Sequence, residues 1–184
     1  MRLTILLGPA LAAGLAGLMS AGVYFSPEFF GVSGCPILAL LQPVRVTLAD
    51  DTDFVEMEKQ PDLGTYPSFR LRVHGNGQVD WEGRQCVAAR GRREGRLNPQ
   101  AAKALIERFE AEGFCQLCSH YYPYNTHADT TRLTLSLGDE RTDVVEQLRQ
   151  PPGNFGELEQ EVERTEPIAG WIGGRQGGDC WAER

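Results

Sequence analysis

The chain has 184 residues, of which 41% are hydrophobic and 23% charged, and a formal net charge of -7. That length suits one globular core with an appendage. The acidic balance excludes general binding to DNA or RNA, which needs a basic surface to displace counterions from phosphates.

The first element is apolar. Leu3 to Phe25, LTILLGPALAAGLAGLMSAGVYF, carries no charge, and Arg2 alone precedes it among the cations. This is the layout of a secretory signal or of an N-terminal membrane anchor, with residues 1–25 assigned to it and the retained anchor favoured. Either role places the rest of the chain outside the cytoplasm, in the periplasm or facing it. Ser33-Gly34-Cys35 imitates a lipoprotein cleavage site, which makes Cys35 a lipidation candidate. Residues 26–46 read as an apolar linker, 47–173 as the folded domain, and the glycine-rich 174–184 as a tail.

Within the domain, PSFRLRVHGNGQVDWEG alternates apolar and polar residues on both sides of a glycine-rich turn, and so predicts a hairpin. Opposite residues in a hairpin share a face, which selects the register. A three-residue Gly75-Asn76-Gly77 loop sets Val73 against Val79 and Leu71 against Trp81, with Gly77 as the left-handed residue. The same register sets Arg72 against Asp80 and Arg70 against Glu82 on the outer face, where they are expected to pair. RQCVAARGRREGRL then predicts one or two further strands. Its arginines, Arg84, Arg90, Arg92, Arg93 and Arg96, are read as a solvated edge that resists pairing with other sheets.

A helix follows, opened by Asn98 as N-cap and Pro99 in its first turn, buried through Ala102, Leu105, Ile106 and Phe109, and stopped by Gly113. TTRLTLSLGDERTDVVEQ predicts a second hairpin turning at Gly138-Asp139, and GNFGELEQEVERTEPIAGWIG a short acidic helix that buries Leu158 and Val162 and ends at Pro167. The expected class is α+β: an antiparallel sheet of about six strands, including two clear hairpins, packed on two helices and preceded by the hydrophobic segment.

GTYPSFRLRVHGNGQVDWEG, LNPQAAKALIERFEAEGF, Asp129 ahead of TTRLTLSL, and GELEQEVERTEPIAGWIG together resemble a bacterial family known as domain of unknown function 6438, met mostly in exported proteins. The resemblance spans roughly residues 54–173. It implies fold and export and carries no activity. That family often has a cysteine before the proline where this chain has Tyr66-Pro67, so a bridge belonging to that strand is missing here.

GFCQLCSHYYPYNTHADTT concentrates the chemistry. Cys115-x-x-Cys118 follows a helix C-terminus, whose negative dipole end disfavours the thiolate a redox couple needs. Ser119 stands between Cys118 and His120, against covalent haem attachment. Cys115, Cys118, His120 and His127 offer four ligand types that zinc accepts, and this metal-binding or thiol-dependent loop is the alternative reading. In an oxidising compartment cysteines more readily cross-link, so Cys86, Cys115, Cys118 and Cys180 are the disulfide candidates, and the favoured pairing joins the helix-end loop to the tail through Cys180. Tyr121, Tyr122 and Tyr124, with Asp129, are the candidate binding surface for an envelope protein or glycan. GxSxG, HExxH and GxxxxGK are absent, and Asp129 near His127 lacks a nucleophile. The resulting expectation is a non-enzymatic envelope domain without a cofactor, acting by binding or structural support and joined to the membrane through its N-terminal segment.

Overall fold

The structure is a computed structural model, and it describes residues 30–33, 48–62, 66–123, 129–147 and 154–173. The leader, Cys35, His127, Tyr124 and the tail with Cys180 lie outside the described residues. In chain order the elements are β1 (Phe30–Ser33), β2 (Phe54–Gln60), β3 (Ser68–His74), β4 (Gln78–Gln85), β5 (Gly91–Arg96), α1 (Pro99–Ala111), β6 (His120–Pro123), β7 (Thr130–Leu137), β8 (Glu140–Glu146), α2 (Phe155–Arg164) and α3 (Ile168–Ile172). A 3-10 turn, Phe114–Gln116, joins α1 to β6. The class is α+β.

β3 and β4 form the expected hairpin in the expected register, Val73 opposite Val79 and Leu71 opposite Trp81. Gly77 takes φ 86 in the turn, and its backbone lies so close to Leu97 that a side chain has no room. β7 and β8 form the second hairpin, turning at Gly138 with φ 56.

The whole sheet runs β1-β6-β8-β7-β2-β3-β4-β5. Seven strands come from residues 54–146, and β1 adds an eighth at one edge. This corrects the expectation of about six antiparallel strands, because β6 pairs with β8 in parallel. The reason is topological. β2 and β8 already occupy both sides of β7, so β6 joins the remaining free side of β8, and its entry from α1 fixes its direction. Ser119 carbonyl accepts from Val145 N–H at 2.8 Å and Tyr121 carbonyl from Gln147 N–H at 3.1 Å. Within the stretch read as a linker, Phe30–Ser33 pair antiparallel with β6. At the opposite edge lies β5, almost wholly exposed, as its arginines led us to expect.

Helices cover one face. Val55 and Met57 of β2, Phe69, Leu71 and Val73 of β3, Trp81 of β4, and Leu133 and Leu135 of β7 form one buried cluster with Leu105, Ile106 and Phe109 of α1 and with Phe155, Leu158 and Val162 of α2. Asn98 caps α1, its side-chain oxygen accepting from Gln100 N–H at 2.8 Å. An N-cap contact of this kind contributes about 1 kcal/mol. Asn98→Ala is therefore expected to lower unfolding free energy by about that amount in urea titrations, with Asn98→Asp restoring most of it.

α2 ends at Arg164, before Pro167, and a third helix that the sequence reading did not anticipate then turns back on the sheet. Trp171 explains its seating. Its ring lies 5.7 Å from that of Trp81 and occupies the space where a side chain at position 95 would stand, so Gly95 is required there. Trp81 also stacks on Phe69 at 4.9 Å and donates its indole N–H to the Ala89 carbonyl at 2.7 Å.

Candidate functional site

The face away from the helices carries charge instead of apolar side chains. Strand alternation puts Glu56 and Glu58 of β2, Arg70, Arg72 and His74 of β3, and Asp80 and Glu82 of β4 on it. At its centre Glu56 is only 4% exposed. A buried carboxylate needs compensation, and two arginines supply it. Arg70 Nη2 donates to both carboxylate oxygens at 3.0 Å, and Arg72 donates through Nε at 2.8 Å and Nη2 at 2.6 Å. Arg72 also lies over the Phe54 ring, 4.2 Å from its centre, a cation–π contact.

The expected cross-strand register of Arg70 and Arg72 is present, but their ion pairs are not with Glu82 and Asp80. Glu56 draws both guanidinium groups because, among these carboxylates, it is the one most withdrawn from water. Asp80 is held by His74 Nε2 and Gln78 Nε2, each at 2.8 Å. Burial opposes ionisation of Asp80, yet the hydrogen bonds from His74 and Gln78 and the nearby Arg72 charge keep its carboxyl below the usual range. Asp143 behaves alike: desolvation is outweighed by hydrogen bonds from Arg141 and Thr134. Arg84 bridges to Glu58 at 2.7 Å.

Beside this network, β3, β4 and β5 line an open groove of about 650 Å³. Glu56, Arg70, Arg72 and Asp80 form its floor side, and Arg92, Arg93 and Glu94 its outer wall. Arg92 stands opposite Glu82 on the charged face and has no carboxylate partner among the described residues, whereas Arg93 stands opposite Trp81 and alternates to the other face, so it is Arg92 that keeps at the rim cationic capacity that the floor has spent.

The cysteine-rich loop has a different character. Phe114 anchors it in the core, edge-on to Phe109 with ring centres 5.2 Å apart. Cys115 is exposed and a free thiol. Partial desolvation pushes this thiol up, a 3.6 Å contact from the Thr142 hydroxyl opposes that, and the carboxylates of Glu110 and Glu140 add to it. Cys86 and Cys118 are disulfide-bonded, although no bridge joins two of the described cysteines. As a cystine, Cys118 has no thiolate to give, so the four-ligand zinc set exists only in a reduced chain. His120 Nδ1 meets Ser119 Oγ at 2.9 Å and its ring stacks on Tyr122 at 5.5 Å.

Of the tyrosines read as a binding surface, Tyr121 is 7% exposed and its hydroxyl accepts from Cys118 N–H at 2.8 Å, so it packs the loop. Tyr122 is exposed. Asp129 accepts from the Asp62 N–H at 3.1 Å, across the entrance to β7. No helix among the described residues is long and apolar enough to cross a membrane.

Sequence reasoning missed Glu56 as the centre of the charged face. The available signal was its place in FVEMEKQ, a strand whose two apolar positions, Val55 and Met57, flank it and send it to the other face.

The chain matches no curated protein. A family described as a domain of unknown function, DUF6438, matches residues 53–166, a span that takes in β2 to α2 and therefore the charged face, the groove and the loop from Phe114 to Tyr122; the chain belongs to this family.

Proposed function

We propose that the protein is a non-catalytic domain held outside the cytoplasm, joined to the membrane through its N-terminal segment, which works by binding an acidic segment of an envelope protein in the groove over β3, β4 and β5. The observation that carries this reading is the contrast within the groove. Glu56 and Asp80 are each matched by neighbouring donors, whereas Arg92 stands on the same face of an exposed edge strand with its charge unspent. A ligand carboxylate that meets Arg92 displaces no internal partner. Exposed charges of this kind favour encounter and orientation more than tight affinity.

Two readouts test it. A polyglutamate peptide, titrated into the purified full chain and followed by anisotropy, is expected to bind at low salt and to lose about tenfold in affinity in Arg92→Glu, as reversal of an attractive charge implies, and to lose less in Arg93→Glu, on the other face of the strand. Equal affinity in Arg92→Glu sinks the groove assignment. Location is read separately: a membrane-impermeant maleimide added to intact cells is expected to label Cys115, the exposed free thiol. Labelling only after lysis removes the extracytoplasmic part.

A further inference from the structure

β5 closes the sheet on the side of the charged groove, and among the described residues no strand pairs with its outer side. Its backbone orientation follows from one bond. Leu97 N–H donates to the Gly77 carbonyl at 2.7 Å, and these two residues continue the register that sets Gln78 opposite Arg96 and Val79 opposite Gly95. Along an antiparallel strand the groups that face one neighbour come from every second residue. Gly91, Arg93 and Gly95 therefore bond to β4, and the N–H and C=O groups of Arg92, Glu94 and Arg96 face outwards.

That outer row is a template for one more strand, and the side chains select its chemistry. Arg92, Glu94 and Arg96 stand on the charged face, while Gly91, Arg93 and Gly95 stand on the helix face. β5 holds three arginines against one glutamate in a chain of net charge -7, so it attracts an acidic strand. A second copy fits poorly. Two copies of β5 paired about a two-fold axis can set Arg92 against Glu94 only by setting Arg93 against its own copy, and like charges directly opposed destabilise a strand pair. At Gly95 the Trp171 ring takes the place of a side chain and is itself only half-buried, so part of an apolar ring stands open beside the edge.

We infer that the acidic partner segment joins the sheet as a further antiparallel strand along β5, its backbone bonding to Arg92, Glu94 and Arg96 and its side chains alternating between the groove and Trp171. The inference rests on the groove reading for the partner's charge and adds how that partner is held. Antiparallel addition is the stronger mode per residue. Opposed residues share a face, which writes the preferred segment: an acid opposite Arg96, an apolar residue opposite Gly95, a base opposite Glu94, and acids opposite Arg93 and Arg92. In the antiparallel direction this reads Glu-Val-Lys-Glu-Glu. Main-chain bonds supply the hold, and the alternate side chains supply the selectivity.

The test follows a fluorescent Glu-Val-Lys-Glu-Glu peptide, flanked by glycine and serine, by anisotropy on the purified full chain. In antiparallel addition the lysine amide points at β5 and the valine amide points away. N-methylation of the lysine amide is expected to weaken binding about tenfold, the effect of losing one hydrogen bond, whereas N-methylation of the valine amide leaves binding unchanged. Both peptides leave the protein itself untouched. Glu94→Pro removes one outward N–H on an edge where proline is tolerated, and is expected to give a similar loss, with Glu94→Ala losing less than about threefold. Equal loss from both N-methylations, or none from either, overturns strand addition; if Arg92→Glu still weakens that binding, the groove reading stands. The expected methylation pattern with equal affinity in Arg92→Glu supports strand addition and overturns the groove reading instead. Absence of binding by every peptide overturns both, and a dimer of the chain alone that Glu94→Pro disperses overturns the choice of occupant.

Discussion

Phe114→Ala is expected to cost about 3–5 kcal/mol of unfolding free energy, the range for emptying a buried aromatic site. The residue is fully buried although it sits in a 3-10 turn, just past a Gly113 whose φ of 74 ends α1. Its ring fills the space beside Phe109, and the turn has no other fully buried side chain. Truncation therefore opens a cavity and releases the segment that carries Cys115 and Cys118. Urea unfolding of the full chain checks this, with Phe114→Leu as the control that keeps most of the volume and loses about 1 kcal/mol. A loss below about 1 kcal/mol in Phe114→Ala would mean that the loop is not seated in the core.

Glu56→Ala is the second large effect, at about 2–3 kcal/mol. Charge-assisted hydrogen bonds contribute about 1.5–3 kcal/mol, and removing one member of a buried pair costs more because the survivor stays uncompensated. Here the survivors are partly in water: the Arg70 and Arg72 side chains are 45% and 30% exposed, and solvent screens them. The estimate accordingly sits below the cost of a fully buried pair. Glu56→Gln separates shape from charge. It keeps the packing and one acceptor, and is expected to recover about half the loss in the same denaturation assay. If Glu56→Ala is neutral, the two arginines are satisfied by Glu58 and Glu82 and the central pairing is replaceable.

The hairpin of β3 and β4 was legible because Gly-Asn-Gly and strict alternation act locally and leave one register that keeps Val73, Leu71 and Trp81 on one face. α1 was legible for the same reason, since its cap, its stripe and its stop are all within the segment. β6 was not. HYYP is four residues long and ends in proline, and its parallel place beside β8 depends on which side of β7 the other strands had already taken. α3, five residues long, has no periodicity to read, and what holds it is a tryptophan lying on a glycine of a distant strand. The charged face was half legible. Register told which residues stand opposite, but the choice of Glu56 over Asp80 and Glu82 follows from depth below the surface, which alternation does not encode.

The placement of Trp171 separates two boundaries that are easily equated. The region shared with the family stops at residue 166, yet the indole over Trp81 comes from residue 171. A fragment trimmed to the shared region would leave one side of Trp81 bare at the end of the sheet. What descends as a unit and what packs as a unit therefore end at different residues, and an excised version of this domain has to be cut by the second.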